Sequence, residues 1–374
     1  MLYRNFKDLR LSAMGLGCRR FPILTGQTDQ IDLTAAGEMV DYALKSGVNY
    51  FDTAWGYHGG QSEIVTGKLL SAYPRDSYYL ASKFPGFNRD NMANKEEIFE
   101  KQLEKCGVDH FDFYLFHNVC EDNAGAYLEP QYGMLEYLLE QKRKGRIGHL
   151  GCSVHARLDT MERFLDGCGG EIEFVQIQLN YLDWNYQDAK AKVECLQQRG
   201  LPIWVMEPLR GGRLANLTPE QEATLRALRP DTSIPVWSYR FLQGIDGLGV
   251  VLSGASSLEQ LQENVAAFSE HAPLNEVERA AVLTIAQDLL RHGTVPCTAC
   301  RYCVEHCPQA LDIPELLRLY NKHALSGAQV TLPEHGPAGC IACRACEGAC
   351  PQKIAVADVL ADFAAQMAEP AEKR

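Results

Sequence analysis

The sequence predicts an α/β protein: a (β/α)8 TIM barrel followed by a small C-terminal domain. Three observations carry that expectation. Between about residues 12 and 265, strand-like segments alternate with amphipathic helical ones, a pattern that builds a parallel sheet covered by helices. A doubly wound open sheet would show the same alternation, but "GLGCRRFP" places Pro22 where the helix of a dinucleotide fingerprint should begin. Beyond residue 293, eight cysteines gather in two groups that read as an internal repeat.

The strand candidates follow in order. They are "SAMGLGC" from Ser12, "YFDTA" from Tyr50, "YYLASKF" from Tyr78 and "FDFYLFHNV" from Phe111. "HLGCSV" from His149, "FVQIQLNY" from Phe174, "PIWVMEPL" from Pro202 and "LGVVLSG" from Leu248 complete the set. The helices between them include "AAGEMVDYALKSG", with Ala36, Met39, Val40, Ala43 and Leu44 on one face and Gly47 closing it. "KEEIFEKQLEKCG" and "YGMLEYLLEQKRKG" also end at a C-cap glycine. "NEVERAAVLTIAQDLLRHG" is the last helix before the cysteines and ends at Gly293, which sets the expected domains at 1–293 and 294–374.

A chain of 374 residues with 46% hydrophobic residues has the material for one large and one small domain. Its formal net charge of −12 argues against nucleic acid and anionic membrane surfaces as partners. The first residues, "MLYRNFKDLRLSAMG", break every apolar run with a charge, so no signal peptide is expected. No stretch is apolar enough to span a bilayer. Six cysteines (Cys18, Cys106, Cys120, Cys152, Cys168 and Cys195) are scattered singly and read as small, reduced hydrophobes. The expected location is the cytoplasm.

Cys297, Cys300, Cys303 and Cys307 recur as Cys340, Cys343, Cys346 and Cys350, each set closed by Pro-Gln. "IPELLRLY" after the first set matches "VADVLADF" after the second, and both read as helices. The spacing C-x2-C-x2-C-x3-C-P, used twice, marks a ferredoxin-like domain with two [4Fe–4S] clusters. The fourth cysteine of each run serves the other cluster. One cluster is therefore expected on Cys297, Cys300, Cys303 and Cys350, and the second on Cys340, Cys343, Cys346 and Cys307. Structural zinc is the alternative for paired thiolates, though it rarely uses three closely spaced cysteines twice over.

The barrel half carries "DTAWGYHGGQSEIVTGKLL" from Asp52 to Leu70. It resembles the aldo/keto reductase pattern "DTAxxYGxGxSExxxGxxL", with His58 where glycine is common. The resemblance runs from "YRNFKDLRLSAMGLG" to "SSLEQLQENV". With the cysteine repeat, the chain resembles the branch of that family fused to a ferredoxin-like domain. This likeness implies a catalytic tetrad of Asp52, Tyr57, Lys83 and His117, each at a C-terminal strand end.

The same set follows from chemistry. A carbonyl receiving a hydride needs a proton for the forming alkoxide. Tyrosine, with an ordinary pKa of roughly 10, is a weak donor unless a cation favours its phenolate. A buried lysine supplies that cation, a carboxylate keeps the lysine charged, and a histidine positions the substrate oxygen.

The resemblance further implies nicotinamide contacts at Ser153 and Gln176, a pyrophosphate loop in "PLRGG" and an adenosine turn in "SGASSLEQLQENV". The implied contacts are Pro208, Leu209, Gly211, Gly212, Ser253, Gly254, Ser256, Gln260, Glu263 and Asn264. Three departures stand out: Val154 replaces the usual asparagine, Met206 replaces the stacking aromatic ring, and Gly254 and Gln260 stand where NADP-selecting members carry Lys and Arg. NAD(P)H is expected with NADP versus NAD open. Arg210, Arg213, Arg19 and Arg20 are candidate compensating cations, with surface solubility as the alternative role.

Hydride and one-electron chemistry do not mix without a bridge, and the chain shows no flavin pattern. Three readings follow: an oxidoreductase acting on a carbonyl or alcohol whose clusters relay electrons to a docked flavoprotein or ferredoxin; a nicotinamide-dependent reductase with structural clusters; and an idle barrel that scaffolds an electron-transfer module. Specificity is expected in "HNVCEDNAGAYLEPQYG" and "LDWNYQD", with Trp55, His58, Trp184 and Tyr186 as candidate pocket walls.

Overall fold

The first ordered backbone is a hairpin. Strands β1 (Tyr3–Phe6) and β2 (Leu9–Ser12) pair antiparallel, with Tyr3 opposite Ser12 and Phe6 opposite Leu9. Charges interrupt both strands, and the sequence reading passed over them. Eight further strands follow: β3 (Met14–Gly17), β4 (Tyr50–Asp52), β5 (Tyr79–Phe84), β6 (Phe111–Val119), β7 (Ile147–Val154), β8 (Phe174–Gln178), β9 (Ile203–Met206) and β10 (Leu248–Ser253). All eight are parallel and close into a barrel in the order β10-β3-β4-β5-β6-β7-β8-β9. The expected α/β barrel is therefore the observed fold. The computed structural model describes residues 1–24, 30–291, 294–326 and 330–368.

Buried parallel strands are apolar on both faces, and here the inward row is aromatic. Tyr50, Phe113, Phe174 and Trp204 fill the barrel axis, and Phe6 of the hairpin packs edge-on against Trp204 at 5.1 Å. The outer helices include Leu33–Lys45, Gln61–Leu70, Lys95–Cys106 and Met134–Arg143. Asp32 caps the first of these by accepting from the backbone N–H groups of Thr34 and Ala35. Gly107, at φ 63°, terminates the third in the left-handed conformation that glycine adopts most cheaply. Gly67 has a packing reason: a Cβ there would collide with the backbone of Cys106, so the motif glycine lets two helices touch.

The chain divides into two compact units, Met1–Pro208 with Pro235–Asn275, and Leu209–Ile234 with Glu276–Arg374. The barrel strands all belong to the first. In the second, helix Pro219–Leu228 packs on helix Glu276–Arg291, and Arg229 pairs with Glu278 through two hydrogen bonds. Gly293, expected to close the latter helix, lies outside the described residues. Helices Ile313–Ser326 and Val356–Ala368 extend the two repeat segments beyond the expected octapeptides. Among the described residues, no helix is long and apolar enough to cross a membrane.

Candidate functional site

The signature segment after β4 is largely a brace. Thr53 and Ser62 share a hydrogen bond of 2.9 Å, and Ser62 Oγ donates to the Cys18 carbonyl at 3.2 Å. Glu63, fully buried, accepts from Ser82 Oγ and Gln102 Nε2, each at 2.6 Å. Burial raises its carboxyl above the ordinary range, against the pull of those donors and of Lys105. His58, Gly59 and Gly60 all have positive φ, at 52°, 57° and 88°. That left-handed run explains why glycine suits position 58. The brace presents Tyr57 at the strand ends.

There the structure brings four side chains together. Asp52 ends β4, Lys83 lies near the end of β5 and His117 near the end of β6. Lys83 Nζ donates to Asp52, to the Thr53 carbonyl at 2.8 Å and to the Tyr57 hydroxyl at 3.4 Å. The Tyr57 and His117 rings meet edge-on at 5.8 Å. All four residues are buried. A fifth, Arg19, lies over the Tyr57 ring at 5.0 Å from its centroid, close behind the end of β3. Sequence reasoning gave Arg19 no part here, although its position just past a strand end was a usable signal.

Burial dominates the electrostatics. It holds the Tyr57 phenol above its ordinary value, helped by the charge on Asp52 and opposed by Arg19. It keeps the Asp52 carboxyl raised despite Lys83. It also drives His117 well below the ordinary imidazole range, with the Lys83, His155 and Arg19 charges acting in the same direction. The site thus holds a protonated phenol and a neutral imidazole around an ion pair.

Farther around the barrel, Ser153 is buried and its Oγ accepts from the Asn118 N–H at 2.8 Å. Gln176 is also buried. Its Nε2 faces Met206 Sδ at 3.7 Å, while its Oε1 has no hydrogen-bond partner among the described residues. A buried carbonyl oxygen left this way is what a ligand amide N–H would satisfy. Val154 is buried beside them. Of the candidate pocket walls, Trp55 is capped by Lys105 at 3.8 Å, Trp184 packs edge-on against Phe241, and Tyr186 is exposed.

The turn after β10 forms a separate cluster. Ser253 Oγ accepts from Asn264 Nδ2 at 2.8 Å, Gln260 Oε1 accepts from the Ser256 N–H at 2.9 Å, and Glu263 is half-buried on the same helix. Arg20 crosses this turn. Ser256 Oγ donates to its carbonyl at 3.0 Å, and a Cβ at Gly254 would lie 2.7 Å from Arg20 Cγ. The arginine stem therefore fills the space beside Gly254. Pro208 ends its part of the first unit, its carbonyl accepting from Ser238 Oγ at 2.5 Å. Leu209, Gly211 and Gly212 belong to the second unit, the two glycines at φ 66° and 92°.

Within the second unit the cysteines line two cavities. One is lined by Cys297, Cys300, Cys303 and Cys350. The other is lined by Cys307, Cys340, Cys343 and Cys346. Each takes three cysteines from one repeat and one from the other. Cys303, Cys346 and Cys350 are part of the small domain's apolar core, with Leu311, Ile313, Leu316, Val356 and Leu360. Burial pushes the Cys346 thiol up to about 11, so a neighbouring cation is what would hold it as thiolate. Four thiols around a largely apolar cavity suit a cubane, which needs one thiolate per iron.

Comparison with known proteins agrees with both halves. Residues 13–285 match the model of the aldo/keto reductase family, and residues 296–355 match that of a 4Fe-4S dicluster domain. Among relatives, an NADH-specific methylglyoxal reductase of Escherichia coli (strain K12) is 23% identical over 76% of this chain and 97% of its own. An L-galactose dehydrogenase of Arabidopsis thaliana is 24% identical over 70% of this chain and 86% of its own. Among solved structures, the holo form of an aldo-keto reductase from Bacillus halodurans superposes with a TM-score of 0.62 at 25% identity, covering 76% of this chain and 96% of that one. The barrel, the side chains gathered at its strand ends and the cysteine-lined cavities thus have one common account: the chain belongs to the aldo/keto reductase family of oxidoreductases and carries a 4Fe-4S dicluster domain.

Proposed function

We propose that this oxidoreductase reduces a carbonyl through the Asp52, Tyr57, Lys83 and His117 constellation, and that its clusters relay single electrons to or from a protein partner. The observation that carries the first part is Lys83 Nζ, which touches both Asp52 and the Tyr57 hydroxyl in a buried setting. Bound NAD(P)H would supply the hydride. Neutral His117 presents one N–H to the substrate oxygen and so places the carbonyl beside Tyr57. As the oxygen becomes alkoxide, a stronger base than phenolate, Tyr57 gives it the phenolic proton. Lys83 and Arg19 then stabilise the phenolate left behind. Burial keeps the phenol loaded with its proton until that moment.

The residues also fit the nucleotide. Gln176 Oε1 suits the carboxamide N–H, with Ser153 adjacent across β7 and β8. The stem of Arg20 packs beside Gly254 on the adenosine turn, and an arginine so rooted supports acceptance of a 2′-phosphate and hence NADPH. The bacterial relative is by name specific for NADH, so both coenzymes are to be compared. The cysteines of the two cavities would hold the clusters, which supply one-electron transfer. A cluster-bearing domain beginning near residue 294 is part of this reading.

A second reading, structural clusters, is favoured by the presence of three cysteines in the small domain's core. The test is anaerobic purification to about eight irons, then NADPH and NADH oxidation with methylglyoxal as first probe carbonyl. Dye reduction is followed in parallel. Carbonyl turnover lost in Tyr57→Phe supports the site assigned here, and unchanged turnover refutes it. Loss of dye reduction but not carbonyl turnover in Cys303→Ser supports relay. Dye reduction that survives loss of the cluster absorbance favours the structural reading.

A further inference from the structure

Strand β6 carries one residue more than its neighbour can pair. Phe116 stands opposite Cys152 of β7 and Val119 opposite Val154, so His117 and Asn118 together face the single residue Ser153. On the other side, the register with β5 ends at Phe84 and Phe116. The extra residue makes a bulge, and Asn118 takes φ 56° within it. A bulge bends its strand and re-aims the side chains it carries, and one of these is His117. A non-glycine residue keeps that left-handed backbone only where its surroundings hold it.

Side chains do the holding. Ser153 Oγ accepts from the Asn118 N–H at 2.8 Å, and Asn123 Nδ2 donates to the Asn118 carbonyl at 3.0 Å. Asn123 Oδ1 accepts from the Cys120 N–H at 2.9 Å, which fixes the amide in turn. The Tyr127 hydroxyl lies 2.8 Å from the His117 carbonyl and 3.1 Å from the Phe84 carbonyl, and it accepts from the Gly86 N–H at 3.0 Å. A hydroxyl has one proton to give, and the His117 carbonyl is the nearer acceptor. One phenol thus ties the backbone of His117 to the segment that follows Lys83. Tyr127 is fully buried, and its ring packs edge-on against Phe84, Phe116 and Phe164. A Cβ on Gly86 would lie 2.2 Å from that ring, so the glycine admits the tyrosine.

We propose that Tyr127 and Asn123 are positioning residues for His117: they fix the bulge and thereby the direction in which the imidazole meets the Tyr57 ring. This rests on the reading of His117 as the group that places the substrate carbonyl. Both side chains bond backbone groups of the bulge, so they act through His117. Loss of the Tyr127 hydroxyl leaves the His117 carbonyl without its donor and frees the bulge to shift. A misplacement of about 1 Å at a reacting group costs about 100-fold in rate.

The test is a double-mutant cycle on carbonyl turnover by the whole, iron-loaded protein. Tyr127→Phe keeps the packed ring and removes the hydroxyl, and kcat should fall by about 10- to 100-fold. In a His117→Asn background the same change should cost less than about twofold, because no imidazole is left to misdirect. A purely structural role would lower both backgrounds alike. Equal losses in the two, or no loss beside an intact His117, overturn the proposal. If Tyr127→Phe does not fold, Asn123→Ala takes its place, since it removes the donor to the Asn118 carbonyl. The same unequal losses are expected of it, and equal losses overturn the proposal. A His117→Asn protein as active as wild type defeats the reading of the site itself, whereas a slow His117→Asn with additive losses defeats only this inference.

Discussion

Lys83 and Tyr57 are joined at the mouth of the barrel, the ammonium 3.4 Å from the phenol oxygen and 5.0 Å from the ring centroid. The same ammonium bonds Asp52, and neither charge of that pair has appreciable contact with solvent. Stability and chemistry therefore share one side chain.

Replacing Lys83 by Met should harm both. Asp52 is left buried without its cation, and breaking such a pair costs about 3–5 kcal/mol. Carbonyl reduction should fall by about two orders of magnitude or more. Urea unfolding and steady-state turnover measure the two losses, and a variant as stable as wild type would contradict the buried pair.

Tyr57→Phe separates chemistry from packing. The phenylalanine ring keeps its place between His117 and Arg19, so stability should change little. The catalytic proton is gone, and kcat should drop by about 100- to 10,000-fold. Nucleotide affinity, read by fluorescence quenching, should stay within twofold.

The pH profile of reduction should be broad. His117 is held well below its ordinary pKa of roughly 6.5, so lowering the pH through that value leaves it neutral and the rate unchanged. Tyr57 is held above roughly 10, so raising the pH to 9 does not strip its proton. A rate flat from about pH 6 to 9 is expected. An acid limb near 6.5 that disappears in His117→Asn would show an imidazole titrating normally.

Arg20→Gln addresses the coenzyme. Removal of the guanidinium of Arg20, whose stem packs beside Gly254, should raise KM for NADPH by about tenfold or more while leaving KM for NADH unchanged. Equal effects on both would place Arg20 in packing alone.

Cys350→Ser tests the interleaved cysteines. Cys350 belongs to the second repeat but lines the cavity of the first repeat's thiols. Iron should fall by about half from the eight of a dicluster domain, with the loss confined to one cluster signal.

Most of the barrel was legible because buried parallel strands are continuous apolar runs. Phe111–Val119 runs over the same residues in sequence and structure. The hairpin Tyr3–Ser12 was not legible: its strands are short and interrupted by Arg4, Lys7, Asp8 and Arg10, and only the closed barrel gives Phe6 something to plug. Arg19 was legible only as a residue just past a strand end; its contact with the Tyr57 ring depends on β3 and β4 being neighbours in the closed barrel. Residues 209–234 read as barrel and pack with the C-terminal part, since Arg210 and Arg213 find their partners there, far along the chain.

The crossing of the two cysteine sets has a consequence for biogenesis. A nascent chain that has emerged only as far as residue 340 possesses all of the first repeat yet neither complete ring of four sulfurs, because Cys343, Cys346 and Cys350 are still to come. If these cavities hold the clusters, metal insertion awaits synthesis of the second repeat. A ribosome that stops early releases a finished barrel with no way to hold either cubane.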